Sequence, residues 1–262
     1  MLPPSFRMTD TLLLKLVLTP VLIAAASLAG RRWGQAVGGW LVGLPLTSGP
    51  VAFFLALDHG TGFAAAVAFG SLAGAIAEAA FCLAYGWSAR RGWLTALAAA
   101  SAAFTVVAAG LQRLALPLIA LAAIVFATLA VALQLMPTRA AMSATPAPPR
   151  WDLPARMVIT TALVVGLTGV APVLGPRLSG VLATFPVYAA ILTAFAHHAG
   201  ATPAVQVLRG LLLGLFSFGA FFLVLGGLIE RLGVAGGFAA ATATALAIQA
   251  GSLAFVVRPS QS

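Results

Sequence analysis

Nine apolar runs, at 11–29, 36–57, 63–85, 92–110, 114–136, 154–172, 178–196, 204–229 and 234–257, leave little of this chain for anything else. Each is close to the roughly 20 residues that a helix needs to cross a bilayer. The gaps are short and hold the turn and charge residues: Arg31 and Arg32, Asp58 to Gly62, Arg90 and Arg91, Gln112 and Arg113, Arg177, His197 to Pro203, Glu230 and Arg231. Of the 262 residues, 61% are hydrophobic and 7% charged, with a mean hydropathy of +1.07. A soluble domain would carry charge on roughly a quarter of its residues. Lipid must therefore be the solvent for much of this chain, and the expected fold is all-α, a multi-pass transmembrane helical bundle.

The formal charge of +9 does not mark a nucleic-acid surface, because the basic residues punctuate the gaps instead of forming a stripe with interleaved aromatics. Their distribution sets an orientation instead. With nine spans, one side collects Arg31, Arg32, Arg90, Arg91, Arg139, Arg150, Arg156, Arg209 and Arg258. The other side has Arg7, Lys15, Arg113, Arg177 and Arg231. The positive-inside rule puts the richer side in the cytoplasm, with the N-terminus outside and the C-terminus inside. One lysine against thirteen arginines, with heavy alanine, is the composition of a GC-rich bacterial genome, so the expected location is a bacterial inner membrane. The segment ASLAG at 26–30 resembles a signal-cleavage site, but Lys15 interrupts the preceding apolar stretch and the run has a later counterpart. The lone Cys82 excludes an internal disulfide and a cysteine-based zinc cluster.

The counterpart is part of a duplication. At an offset of 141, Lys15 meets Arg156, Gly34 meets Gly175, Gly39 meets Gly180, Pro45 meets Pro186 and Phe54 meets Phe195. After a one-residue gap the match resumes: Gly60 with Gly200, Gly70 with Gly210, Gly74 with Gly214, Phe81 with Phe221, Gly86 with Gly226, Arg91 with Arg231. Such recurrence is the mark of an internal repeat. The expected organisation is a four-span repeat at 11–110, a linker helix at 114–136, a Pro-rich linker at 137–153 and a second four-span repeat at 154–257. Five spans separate equivalent positions, so the repeats enter the membrane from opposite sides: two inverted four-helix repeats around a linker helix. This depends on 114–136 being a full span.

Two of the spans interrupt themselves. In GLPLTSGP, Pro45 and Pro50 bracket Thr47, Ser48 and Gly49, and the second repeat has LATFPVYAA with Thr184, Pro186 and Tyr188. Proline removes a backbone donor and frees a carbonyl, and in lipid each unsatisfied group costs several kcal/mol. Interrupted spans at corresponding places in two halves point to a carrier's central site. The expected solute-binding residues are thus Pro45, Thr47, Ser48, Gly49, Thr184, Pro186 and Tyr188.

Glu78 is the one acidic residue well inside a span. With Ser71, Gly74, Cys82 and Tyr85 it occupies one helix face at spacings of three and four. An intramembrane carboxyl marks an ion or proton pathway or pairs with a base such as Lys15, and Glu78 is the expected proton- or ion-coupling group. Gly70-x-x-x-Gly74 and Gly210-x-x-x-Gly214 permit close helix contact, here expected between the repeats. Asp58, His59, His197 and His198 tempt a metal assignment, but an odd number of spans puts the two loops on opposite faces. No phosphate-binding glycine loop, HExxH helix or GxSxG elbow occurs. Enzymatic chemistry has no foothold beyond Glu78, and neither metal nor cofactor is expected.

LSGVLATFPVYAAILTAF, followed by VLRG and LGLFSFGAFF, resembles the GlpM-like small membrane proteins of bacteria over 178–225. The resemblance touches Pro186 and Arg209 and implies a role in envelope polysaccharide physiology; the family proteins are half this length. The repeat plan is also similar to that of small drug- and metabolite-type carriers. The sequence thus points to a secondary transporter or exporter of a small solute. The alternative is a non-transporting subunit or scaffold that holds an envelope-assembly partner or a second copy of itself.

Overall fold

A computed structural model of the chain describes residues 40–46, 48–111, 116–137, 151–198 and 200–257, with isolated helical positions at 16, 17, 20, 21 and 24. The first apolar run, Lys15, Thr47 and most of the 137–153 linker lie outside the described residues. Within them all regular structure is helical. The helices are α1 (Ser48–His59), α2 (Thr61–Ser88, continued by a 3-10 turn at Ala89–Arg91), α3 (Trp93–Leu111), α4 (Leu118–Leu135), α5 (Asp152–Leu174), α6 (Pro176–Ala183), α7 (Val187–His198) and α8 (Ala201–Val257). Four stretches, Thr61–Arg91, Trp93–Leu111, Leu118–Leu135 and Ala201–Ser252, are long and apolar enough to cross a membrane. On α3 and α4 much of the apolar surface faces outward, with Val106 71% and Ile119 72% exposed. Apolar helices with such faces belong in lipid, as in an integral membrane protein.

α8 is two helices, not one. Gly233 has φ 70 and ψ −178 inside it, a left-handed conformation that glycine adopts without a Cβ penalty. The Ser217 hydroxyl donates to Gln249 Oε1 at 2.6 Å, whereas a straight helix would hold the two residues about 48 Å apart. The chain therefore doubles back between an arm at 201–232 and an arm at 234–257. This is the gap between the two last apolar runs, where Glu230 and Arg231 stand.

The other two expected interruptions also occur. Residues 40–42 end in a turn at 43–46 before α1, and α6 ends at Ala183 before α7 begins at Val187. A helix after a break, a long helix and a further helix thus occur in the same order twice: α1, α2, α3 and then α7 with the two arms of α8. The positive-φ turn glycines recur with them, Gly60 and Gly200, then Gly92 and Gly233.

At the centre, α2 and the 201–232 arm pack together and run antiparallel. Gly62 lies beside Glu230 and Gly226 beside Ala68, while at the other end Gly86 and Arg209 both meet Met136. α4 follows this pair from end to end: Leu118 lies beside Gly226, the rings of Phe126 and Phe216 stack with centroids 6.1 Å apart, and Met136 lies beside Gly86. Arg209 donates to the Met136 carbonyl at 3.1 Å and Trp87 to the Leu135 carbonyl at 3.2 Å. These bonds satisfy carbonyls that a helix C-terminus leaves open.

Each broken segment docks through glycine on a long helix, 40–46 on the 201–232 arm and 176–183 on α2. A methyl group on Gly70 would collide with the Arg177 carbonyl, and one on Gly180 with the Val67 carbonyl. Reciprocally, a methyl on Gly214 would collide with the Trp40 carbonyl, and one on Gly43 with the Gly214 backbone. Of the two expected motifs, Gly70-x-x-x-Gly74 and Gly210-x-x-x-Gly214, Gly70 and Gly214 make these backbone contacts. Gly180→Ala and Gly214→Ala should each destabilise by about 1–3 kcal/mol through overpacking. Gly110→Ala, with open space beside its Cα, should be neutral or slightly stabilising. Thermal unfolding of the purified variants in detergent separates the two cases.

Candidate functional site

The two breaks share one backbone design. Before Pro45, the amide of Leu44 bonds the carbonyl of Leu41 at 3.1 Å, and Leu46 bonds Leu44 at 2.7 Å. After it, Gly49 bonds Pro45 at 2.8 Å. At an offset of 141, Phe185 bonds Leu182 at 3.1 Å, Val187 bonds Phe185 at 2.8 Å and Ala190 bonds Pro186 at 2.8 Å. The carbonyls four residues before each proline, on Leu41 and Leu182, are thereby satisfied by local turns. This is how a proline break is tolerated where water is scarce.

Between the breaks lies a cavity lined by Val42, Leu44, Ser48, Glu78, Ala183, Thr184, Phe185, Pro186, Val187, Ala189, Leu215 and Phe218. It leaves about 30 Å³ to the centres of water-sized occupants, room for about two waters. Eight of these residues form four pairs at the sequence offset of 141 or 140: Val42 with Ala183, Leu44 with Phe185, Ser48 with Ala189, and Glu78 with Phe218. The cavity is therefore lined by residues that this offset matches. Its chemistry is unequal, because the position of the carboxyl in one half holds a phenyl ring in the other.

The structure gathers Ser48, Thr184, Pro186 and Glu78 of the expected site residues on this wall. Pro45 and Gly49 are not on it; Gly49 lies against the Pro45 ring and Phe221, since one turn of α1 faces it away from the cavity. Thr47 lies outside the described residues, as does the side chain of Tyr188. Ser48 donates to the Ala183 carbonyl at 2.9 Å, which ties the start of α1 to the opposite break. Thr184 donates to the Val181 carbonyl at 2.6 Å, closing the end of α6. Glu78 is 7% exposed, and its Oε2 has no hydrogen-bond partner among the described residues.

The whole α2 stripe serves the same opposite span. Ser71 donates to the Gly180 carbonyl at 3.3 Å, Gly74 meets the Thr184 side chain, and the Tyr85 hydroxyl pairs with His197 Nδ1 at 3.0 Å. Cys82 is buried in line with them. His197 thus sits at the Tyr85 end of α2, while His59 packs on Phe63 with centroids 4.7 Å apart. Along the helix these ends are about 33 Å apart, so the two histidine loops cannot share one metal ion.

One part of the site carried no signal in the sequence. Gln249 donates to the Trp40 carbonyl at 2.9 Å and accepts from Ser217 at 2.6 Å, and Trp40 Nε1 donates to Ser252 at 2.7 Å. This network anchors the first broken span to the last arm. Within an alanine-rich run a single glutamine looks like any polar interruption; only the hairpin at Gly233 brings it to Trp40. Comparison with protein-family models, with characterised proteins and with solved structures yields no match.

Gln249→Leu strands the Trp40 carbonyl, while Ser217 keeps the Gly214 carbonyl at 2.8 Å, at a cost of about 1–3 kcal/mol for a buried unsatisfied group. The expected outcome is a lower unfolding midpoint together with faster hydrogen exchange at residues 40–46. A midpoint equal to that of the parent chain would remove the network from the account.

Proposed function

We propose that this chain is a secondary carrier for a small solute in a bacterial inner membrane, with its central site in the cavity between the two breaks. The observation that carries the reading is the pairing of cavity-lining residues across the duplication. A site between broken helices at the interface of two repeats is where such carriers bind their cargo. Ser48, Thr184 and Pro186 form the solute wall in this reading, joined by Thr47, Gly49, Pro45 and Tyr188 as the breaks rearrange, and Glu78 is the coupling group.

The repeats are inverted in this account, giving nine spans with α4 as the linker. Support comes from the antiparallel crossing of α2 and the 201–232 arm, which are equivalent in sequence. Repeats related by an axis along the membrane normal would set equivalent helices parallel. The reach of α4 along the full length of both agrees with a complete crossing. Alternating access would then come from one half rocking against the other, with the glycine contacts as the sliding surfaces. The arginine distribution favours a cytoplasmic side at the Arg90 and Arg209 end.

A second reading, a non-transporting scaffold in envelope biogenesis, draws on the small size of the cavity, on the backbone-to-backbone glycine contacts that lock the halves, and on the likeness of 178–225 to GlpM-like proteins. Access separates the two. In a Cys82→Ala background, Ser48→Cys should react with a membrane-impermeant thiol reagent in at least one condition if the chain is a carrier. Inertness in every condition favours the scaffold.

A ligand screen by thermal unfolding, over pH 5 to 9 with sugars, amino acids, organic cations and polyprenyl phosphates, should yield one saturable shift. At a hundred times its dissociation constant a ligand stabilises by about 2.7 kcal/mol. No shift from any solute in the panel counts against the carrier.

A further inference from the structure

The two hydroxyls on the cavity wall have their hydrogens committed elsewhere. Ser48 donates its hydroxyl hydrogen to the Ala183 carbonyl and Thr184 donates its own to the Val181 carbonyl, so lone pairs are what both present. The third group is Glu78, whose Oε2 is buried without a partner among the described residues. The remaining side chains on the wall are apolar, and no lysine, arginine or histidine is among them. A buried oxygen left in this state asks for a bound ion or water, and a wall of acceptors fits an occupant that is positive or donates only.

Charge and size narrow the occupant. One carboxylate is neutralised by one monovalent cation, whereas a divalent ion would leave excess charge in a medium of low dielectric. Room for about two waters does not admit an alkylamine. Carboxylate and hydroxyl oxygens are hard ligands, which suit hard cations. α1 and α7 both begin at the cavity, with Ser48 and Val187 as their first residues. Cys82, one turn along α2, is the nearest other titratable group on that helix. On the helices packed against it, Asp58, His59, Arg177, His197, His198, Arg209, Glu230 and Arg231 stand at or near helix ends, and α3 and α4 carry none.

We propose that the cavity is a site for one alkali cation, sodium or lithium in size, held by Glu78 with the Ser48 and Thr184 oxygens as neutral ligands and contested by a proton at the same carboxyl. The inference rests on the carrier reading in taking this cavity as the functional centre, and it makes the alkali ion the coupling ion.

The test uses the full chain purified in detergent, with NaCl exchanged for choline chloride at constant ionic strength. Sodium should raise the unfolding midpoint saturably, by about 5 °C or more at a hundredfold excess over its dissociation constant. Lithium should do the same, and potassium much less. Protonation removes the negative charge, so the apparent sodium affinity should weaken as the pH is lowered, by up to about tenfold per unit. Glu78→Gln should abolish the response, Ser48→Ala should weaken it with the fold retained, and Glu78→Asp should restore part of it. A midpoint indifferent to sodium at every pH overturns the proposal, as does a sodium response unchanged in both Glu78→Gln and Ser48→Ala. If a solute from the screen still shifts the midpoint without sodium dependence, the cation site fails while the carrier reading stands; loss of both responses sinks both.

Discussion

A peptide group left unpaired in hydrocarbon costs several kcal/mol, and the architecture around Pro45 and Pro186 follows from that constraint. Two apolar runs are broken near their middles, yet the Leu41 and Leu182 carbonyls freed by Pro45 and Pro186 find local amides in short turns. What the turns leave open, the opposite half supplies: Ser48 reaches the Ala183 carbonyl and Ser71 the Gly180 carbonyl. The breaks are tolerable because each is pressed against the other half of the molecule and not against lipid.

That pressing is possible only where side chains are absent. Gly70 and Gly180, and Gly43 and Gly214, bring backbones together at distances that a methyl group would forbid. The antiparallel pair of α2 and the 201–232 arm gives both broken spans a long, buried partner, and α4 covers the seam between them. α3 and α4 meanwhile show apolar faces outward, so packing and solvation by lipid divide the helices cleanly. The two halves differ in their polar groups, with Ser71, Cys82 and Tyr85 standing where the offset of 140 places Leu211, Phe222 and Leu225. Glu78 opposes Phe218 across the cavity, and Gln249 anchors one broken span with no polar equivalent at Ala108 in the other half.

Much of this could be read from residue types and spacing. The prolines located the breaks, because a residue that removes a donor acts locally, whatever surrounds it. Glu78 announced an inward-facing helix side, because a carboxyl in lipid has few alternatives, and the stripe from Ser71 to Tyr85 followed from helical periodicity. The return at Gly233 lay in the gap marked by Glu230 and Arg231. Gln249, Ser217 and the capping role of Arg209 were not legible. Each works through a partner 32 to 209 residues away in the chain, and no local pattern encodes such distances. Pro45 and Gly49 were placed at the site by proximity in sequence, but the turn of α1 rotates Gly49 toward Phe221.

The sequence by itself determined that this is a helical membrane protein, where its helices break, and that its two halves share landmarks. Those are consequences of hydrophobicity, of proline and glycine stereochemistry and of the cost of a buried charge, all of which act within one helix. The tertiary structure alone decided that both breaks meet at one cavity, that Glu78 lines it with an oxygen unpartnered among the described residues, and that α2 and the 201–232 arm cross antiparallel. These are matters of which surfaces touch. In a chain so rich in alanine and leucine, the choice among surfaces rests on a few glycine contacts and buried hydrogen bonds that become visible only after the helices have packed.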